Sequence, residues 1–65
     1  MVTINLLHLR TQAALSQRDL AKLAGVSTAT IVKAEKGQDV FPSTVRKLAA
    51  ALGVAPRELL DGGPR

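Results

Sequence analysis

The stretch LAKLAGVSTATIVKA, from Leu20 to Ala34, is long and apolar enough to form one helix, yet it carries Gly25 near its middle and Ser27 two residues later. Glycine is the residue that most readily takes the left-handed conformation ending a helix. Serine is a preferred N-cap, because its side-chain oxygen accepts from the unpaired N–H groups of a helix start. The chain therefore closes one helix and opens another within three residues. Two short helices joined by such a turn make a helix-turn-helix, in which the second crosses the first steeply. That second helix stands out from the body with one face free, as an uninterrupted helix could not.

Similar punctuation divides the remaining chain. A first helix is expected over 3–14, capped by Thr3, with Leu6, Leu9 and Ala13 on one stripe. Ser16 opens SQRD, close to a capping box, and starts a second helix over 17–24 that buries Leu20, Leu23 and Ala24. A third, over 28–36, turns Ile31 and Ala34 inward and stops at Gly37. QDVFP reads as a loop. A fourth helix, over 42–52, begins with Pro42, is capped by Ser43, and buries Val45, Leu48, Ala49 and Leu52 before Gly53 closes it. A short fifth follows over 56–60, and 61–65 is expected to be a frayed tail. The fold class expected is all-α, a compact five-helix bundle making a single domain over 1–65. The chain has no Cys, Trp or Tyr and one Phe, so its core must be aliphatic and no disulfide braces it. At 65 residues the margin is thin, since a domain this size buries only about 60% of its unfolded surface.

The formal net charge of +4 suits a polyanionic partner, either nucleic acid or an anionic membrane. No apolar run approaches the roughly 20 residues that span a bilayer. The opening MVTINLLHLR lacks the basic n-region of a signal peptide, so a cytoplasmic protein is expected. His8 stands alone, without Cys or an acidic cluster at ligand spacing, so no metal or cofactor is expected. Nor does the sequence pair a nucleophile with a base, and an enzyme is not expected.

The segment LSQRDLAKLAGVSTATIVKAEKG resembles the helix-turn-helix domains of the phage repressor and Cro family, the Xre-type regulators. The resemblance rests on Gln17 opening the second helix, a small residue at Ala21, Gly25 in the turn, and apolar Leu20, Ala24, Val26, Ile31 and Ala34. LRTQAAL is similar to the family's first helix with its Arg at Arg10. Glu35 and Gly37 match a Glu-x-Gly at the end of the third helix, and FPSTVRKLAAALGV is similar to a Pro-led fourth. The resemblance implies a sequence-specific DNA-binding regulator, acting as a repressor, whose partner is double-stranded DNA at a palindromic operator. It also implies a weak homodimer, strengthened on DNA, that meets its partner near residues 54–58. Arg10 and Glu35 would form a structural ion pair between the first helix and the end of the third.

On this reading the third helix enters the major groove, which admits an α-helix and displays a distinct donor and acceptor pattern for each base pair. Thr28, Ala29, Val32 and Lys33 are the candidate base contacts. Lys33 suits guanine O6 or N7, Thr28 is donor or acceptor, and Ala29 and Val32 suit thymine methyls. Candidate phosphate contacts are Gln17 at the start of the second helix and Ser43 and Thr44 at the start of the fourth, where unpaired N–H groups and the dipole favour anions. Lys36, Arg46 and Lys47 add positive charge. The competing reading is a protein-interaction module of the same fold, such as an antitoxin component. A basic membrane-surface protein is disfavoured because turns interrupt the apolar stripes and the core needs them.

Overall fold

The computed structural model describes residues 4–60. Its elements are five helices: α1 (Leu6–Gln12), α2 (Gln17–Ala24), α3 (Thr28–Glu35), α4 (Pro42–Leu52) and α5 (Pro56–Leu60). α2 packs on both α3 and α4, α4 on α5, and α1 on α3. Each helix contributes one fully buried large side chain: Leu6, Leu20, Ile31, Leu48 and Leu59. Around them close Ala21, Ala34 and Ala49, small enough for neighbouring helices to approach, together with Ile4, Val40 and Val45. No charged or polar residue is buried among the described residues. A backbone bond from the Asn5 N–H to the Leu59 carbonyl, 3.0 Å, ties the entry of α1 to α5.

Four helices end in the same way. At the close of each, an N–H reaches back five residues: Leu15 to Arg10, Val26 to Ala21, Gln38 to Lys33 and Val54 to Ala49, at 3.0–3.3 Å. This is the Schellman arrangement, which needs one left-handed residue just past the helix. Gly25 supplies it after α2 with φ +71°, and Gly37 and Gly53 supply it after α3 and α4. After α1 the residue is Ala14, φ +58°, the one non-glycine with positive φ among the described residues. Leu15, Val26 and Val54, each following such a residue, pack against the core, so these turns also seal its edge.

Four expectations change. α1 is shorter than 3–14: it stops at Gln12, which leaves Ala13 exposed at the C-cap instead of on the apolar stripe. Its N-cap is Asn5, and Thr3 lies outside the described residues, as does the tail 61–65. Leu23 is 62% exposed. At roughly 100° per residue, the stripe of α2 centres between Leu20, Ala21 and Ala24 and leaves Leu23 on the flank. Ser43 does not cap α4: Phe41 holds the N-cap, Pro42 the first helical position, and no side chain bonds there. α3 ends at Glu35 with Lys36 as its C-cap, one residue short of the expected boundary.

Gly25 and Ala14 make a paired prediction. A Cβ at Gly25 would meet no atom within 4 Å, so its constraint is the backbone angle alone. Gly25→Val should cost about 1–2 kcal/mol, the left-handed penalty for a residue with Cβ. Ala14→Gly relieves that same penalty and gives back part of it as unfolded-state entropy, for a net gain of up to about 1 kcal/mol. Thermal melts of the two variants should therefore shift in opposite directions. Shifts of the same sign would show that these turns are not governed by φ.

Candidate nucleic-acid interface

The position of α3 follows from its two ends and its buried face. The Ser27 Oγ accepts from the Thr30 N–H at 3.1 Å and lies 2.9 Å from the Thr30 hydroxyl, which fixes the start. Ile31 and Ala34 are fully buried and lock the rotation of the helix. That rotation leaves Thr28, Ala29, Lys33 and Lys36 exposed and Val32 half-buried. Four of the five are small or cationic, and none is held by another side chain of the described residues. The start of α2 is fixed by a capping box: the Ser16 Oγ accepts from the Asp19 N–H at 3.0 Å, and the Ser16 N–H donates to Asp19 Oδ2 at 3.4 Å.

Arg10 and Glu35 meet as an ion pair, their side chains 15% and 9% exposed. The guanidinium bonds both carboxylate oxygens, through Nε to Oε2 and through Nη2 to Oε1 at 3.3 Å. Its Nη1 donates to the Leu15 carbonyl at 2.8 Å, across the turn that closes α1. The Gln17 Nε2 completes the cluster by donating to Glu35 Oε1 at 2.9 Å. One carboxylate thus ties α1, the start of α2 and the end of α3 together. Partial burial pushes the Glu35 carboxyl up, but the hydrogen bonds from Arg10 and Gln17 and the Arg10 charge outweigh it and hold it below its ordinary range. Gln17 is half-buried and commits one of its two amide N–H groups to Glu35, which leaves the other to donate.

Of the remaining expected phosphate residues, Ser43, Arg46 and Lys47 are exposed along α4 and Thr44 is half-buried. His8 is exposed. Among the described residues no group of His, Cys, Asp and Glu is placed to hold a metal ion. No helix of the described residues is long and apolar enough to cross a membrane.

Two crevices flank α3. One, toward α2, is lined by Arg18, Lys22, Ser27 and Thr28, with Asp19 held in its capping box at one side. Arg18 and Lys22 were not among the expected contacts. Their signal was in the sequence: two cations four residues apart on α2, opposite the apolar stripe, where they share one face. The second crevice lies between α3 and the loop leading to α4, and Thr30, Lys33, Asp39, Val40, Phe41 and Thr44 line it.

The chain matches the family model of the helix-turn-helix domain over residues 5–61. Among solved structures it is similar to the restriction-modification controller protein C.AhdI from Aeromonas hydrophila. The identity is 42%, the match covers 83% of each chain, and the TM-score is 0.79. A search of curated proteins finds no match. A match over this span, together with the likeness to a solved controller protein, places the molecule: the chain belongs to the helix-turn-helix domain family, among DNA-binding regulators of the phage repressor and Cro type.

Proposed function

We propose that the chain represses transcription by reading a palindromic operator with the exposed face of α3. The observation that carries this reading is the split of that helix. Ile31 and Ala34 are sealed in the core while Thr28, Ala29 and Lys33 project from the opposite side, with half-buried Val32 between the two. Thr28, Ala29, Val32 and Lys33 meet base edges in the major groove. Gln17, Lys36, Ser43, Thr44, Arg46 and Lys47 set the register through phosphates, and Arg18 and Lys22 extend that set along α2. Arg10 and Glu35 serve the fold, holding α3 at its angle. The protein works in the cytoplasm, where its DNA is. The likeness to a protein named as a restriction-modification controller supports a regulatory role.

Selection of bound sequences from random duplex DNA tests this. The expected product is a palindrome whose half-sites lie one turn apart, about 34 Å centre to centre. Recovery of no preferred sequence, with binding that disappears in moderate salt, would leave only non-specific charge attraction.

Two copies meet through residues 54–58, at the start of α5. A five-residue patch buries far less than the roughly 1,200–2,000 Å² of a stable interface. Sedimentation of the free protein at micromolar concentration should therefore show mostly monomer, shifting to a dimer on an operator duplex. Dimers that persist at nanomolar concentration without DNA would contradict this.

A further inference from the structure

Phe41 is the only aromatic residue of the chain and is 63% exposed. A molecule whose core is wholly aliphatic leaves its largest apolar side chain in water. Phe41 holds the N-cap of α4 yet offers no cap hydrogen bond, so local structure gives no reason for phenylalanine there. Its place is specific. It lines one crevice together with Lys33 of α3 and Thr44 of α4. The proposed function makes Lys33 a base reader and Ser43 and Thr44 phosphate binders. In a duplex strand, the group between a base and its phosphate is the deoxyribose.

We propose that Phe41 packs its ring on a deoxyribose at the edge of each half-site, an inference that rests on the reading of α3 as the groove-entering helix. The carbon-bound hydrogens of the sugar ring give an uncharged, apolar face of a size a phenyl ring covers. Asp39, an exposed acid lining the same crevice, leaves a neutral sugar unaffected. Val40, buried in the core, anchors the loop. The contact is indifferent to sequence and to salt, because it releases no counterion. It also favours DNA: a ribose 2′-hydroxyl would set a polar group against the ring.

The test uses the full chain and an operator duplex obtained by selection. Phe41→Ala should bind specific and random duplex more weakly by a common factor, on the order of tenfold, from the apolar area no longer covered. Its salt slope should stay that of the wild type, and Phe41→Leu should recover most of the loss. Single ribonucleotides placed along the operator flank should weaken the wild type at one position per half-site and leave Phe41→Ala indifferent there. Melting temperatures of both variants control for folding and should match the wild type, since the side chain lies largely in water. Wild-type affinity for Phe41→Ala would overturn the inference. So would a loss confined to one thymine and abolished by uracil, which would make the target a base methyl. If Phe41→Ala binds a single half-site as the wild type does but no longer forms the dimer on the full operator duplex, the ring serves a second copy of the chain and the inference also fails. Should the wild type itself show no operator preference, the fault lies with the proposed function and not with Phe41.

Discussion

Leu48→Ala should leave the protein largely unfolded near body temperature. Leu48 is fully buried on α4, the helix that packs against both α2 and α5. Truncating a buried leucine costs about 3–5 kcal/mol, part lost transfer and part residual cavity. A 65-residue domain has roughly 3–10 kcal/mol in total, so the loss takes a large share of it. In a domain of this size each kcal/mol moves the melting temperature by about 4–8 °C. A drop of about 15–30 °C, read by far-ultraviolet circular dichroism, is the expected result. Leu23→Ala provides the contrast. With Leu23 62% exposed, its truncation should change stability by no more than about 0.5 kcal/mol. Equal losses at Leu48 and Leu23 would mean that the burial pattern of α2 and α4 is wrong.

Arg10→Met should have the second-largest effect, and a pH dependence that no apolar site can mimic. Removing the guanidinium deprives Glu35, 9% exposed in the wild type, of its charge partner, with the Gln17 amide as its remaining donor, and leaves the Leu15 carbonyl without its side-chain partner. Breaking a fully buried pair from one side costs about 3–5 kcal/mol. Partial exposure of this pair reduces the expected cost to about 2–3 kcal/mol at neutral pH. In the wild type, the folded Glu35 carboxyl titrates below its ordinary value of 4.5. Its stabilising contribution is therefore full above about pH 4.5 and is lost as the pH falls through the lowered folded value. In Arg10→Met, burial dominates and the carboxyl titrates higher, so protonation relieves the variant where it weakens the wild type. The gap between the two in urea unfolding should be widest at pH 7, begin to narrow above pH 4.5 as the carboxyl of the variant takes up its proton, and narrow further below it as the wild type loses its pair. A gap independent of pH would show that Arg10 stabilises by packing alone.

The helices were legible wherever their ends were written in residues with one dominant use. Gly25, Gly37 and Gly53 marked three C-termini, Ser16 and Ser27 two starts, and Pro42 and Pro56 two more, and the boundaries of α2, α4 and α5 agree with them. α1 was overextended because its terminating residue is Ala14. Alanine is the best helix former, and nothing local announces that the Leu15 N–H will instead bond the Arg10 carbonyl. Arg10 itself is held in place by Glu35 on another helix, a tertiary cause that local propensity does not carry. Leu23 misled for a different reason. A three-residue spacing from Leu20 is compatible with a shared face, but the stripe also has to include Ala21 and Ala24, and the smaller residues decide where it lies.

The exposed face of α3 was readable because Ile31 and Ala34 fix the inward side and everything else follows from helical geometry. The flanks of that face were not. Arg18 and Lys22 sit on a different helix, and the crevice they share with Ser27 and Thr28 exists only because the turn at Gly25 folds α3 back beside α2. Phe41 falls in a loop by sequence, and only the fold brings it into one crevice with Lys33 and Thr44. Serine's preference for caps points to Ser43, but Pro42 already occupies the first helical position of α4 and moves the cap to Phe41.

The central claim is that α3 reads bases while α4 holds the backbone, and Lys33 against Lys47 tests it most directly. Both are exposed lysines of equal charge, so their net electrostatic effect on a polyanion is similar. Losing a base contact should cost about 1–3 kcal/mol and relax preference at one base pair, whereas losing a phosphate contact should weaken all sequences alike. The quantity to measure is the ratio of operator to random-duplex affinity at fixed salt, for the wild type, Lys33→Ala and Lys47→Ala. The account predicts that Lys33→Ala lowers the ratio at least fivefold, with the relaxed preference confined to one position per half-site (about 1 kcal/mol). It predicts that Lys47→Ala leaves the ratio unchanged while making the salt slope shallower by about one unit. A Lys33→Ala protein that loses operator and random binding by the same factor would contradict the assignment of base reading to Lys33 on α3.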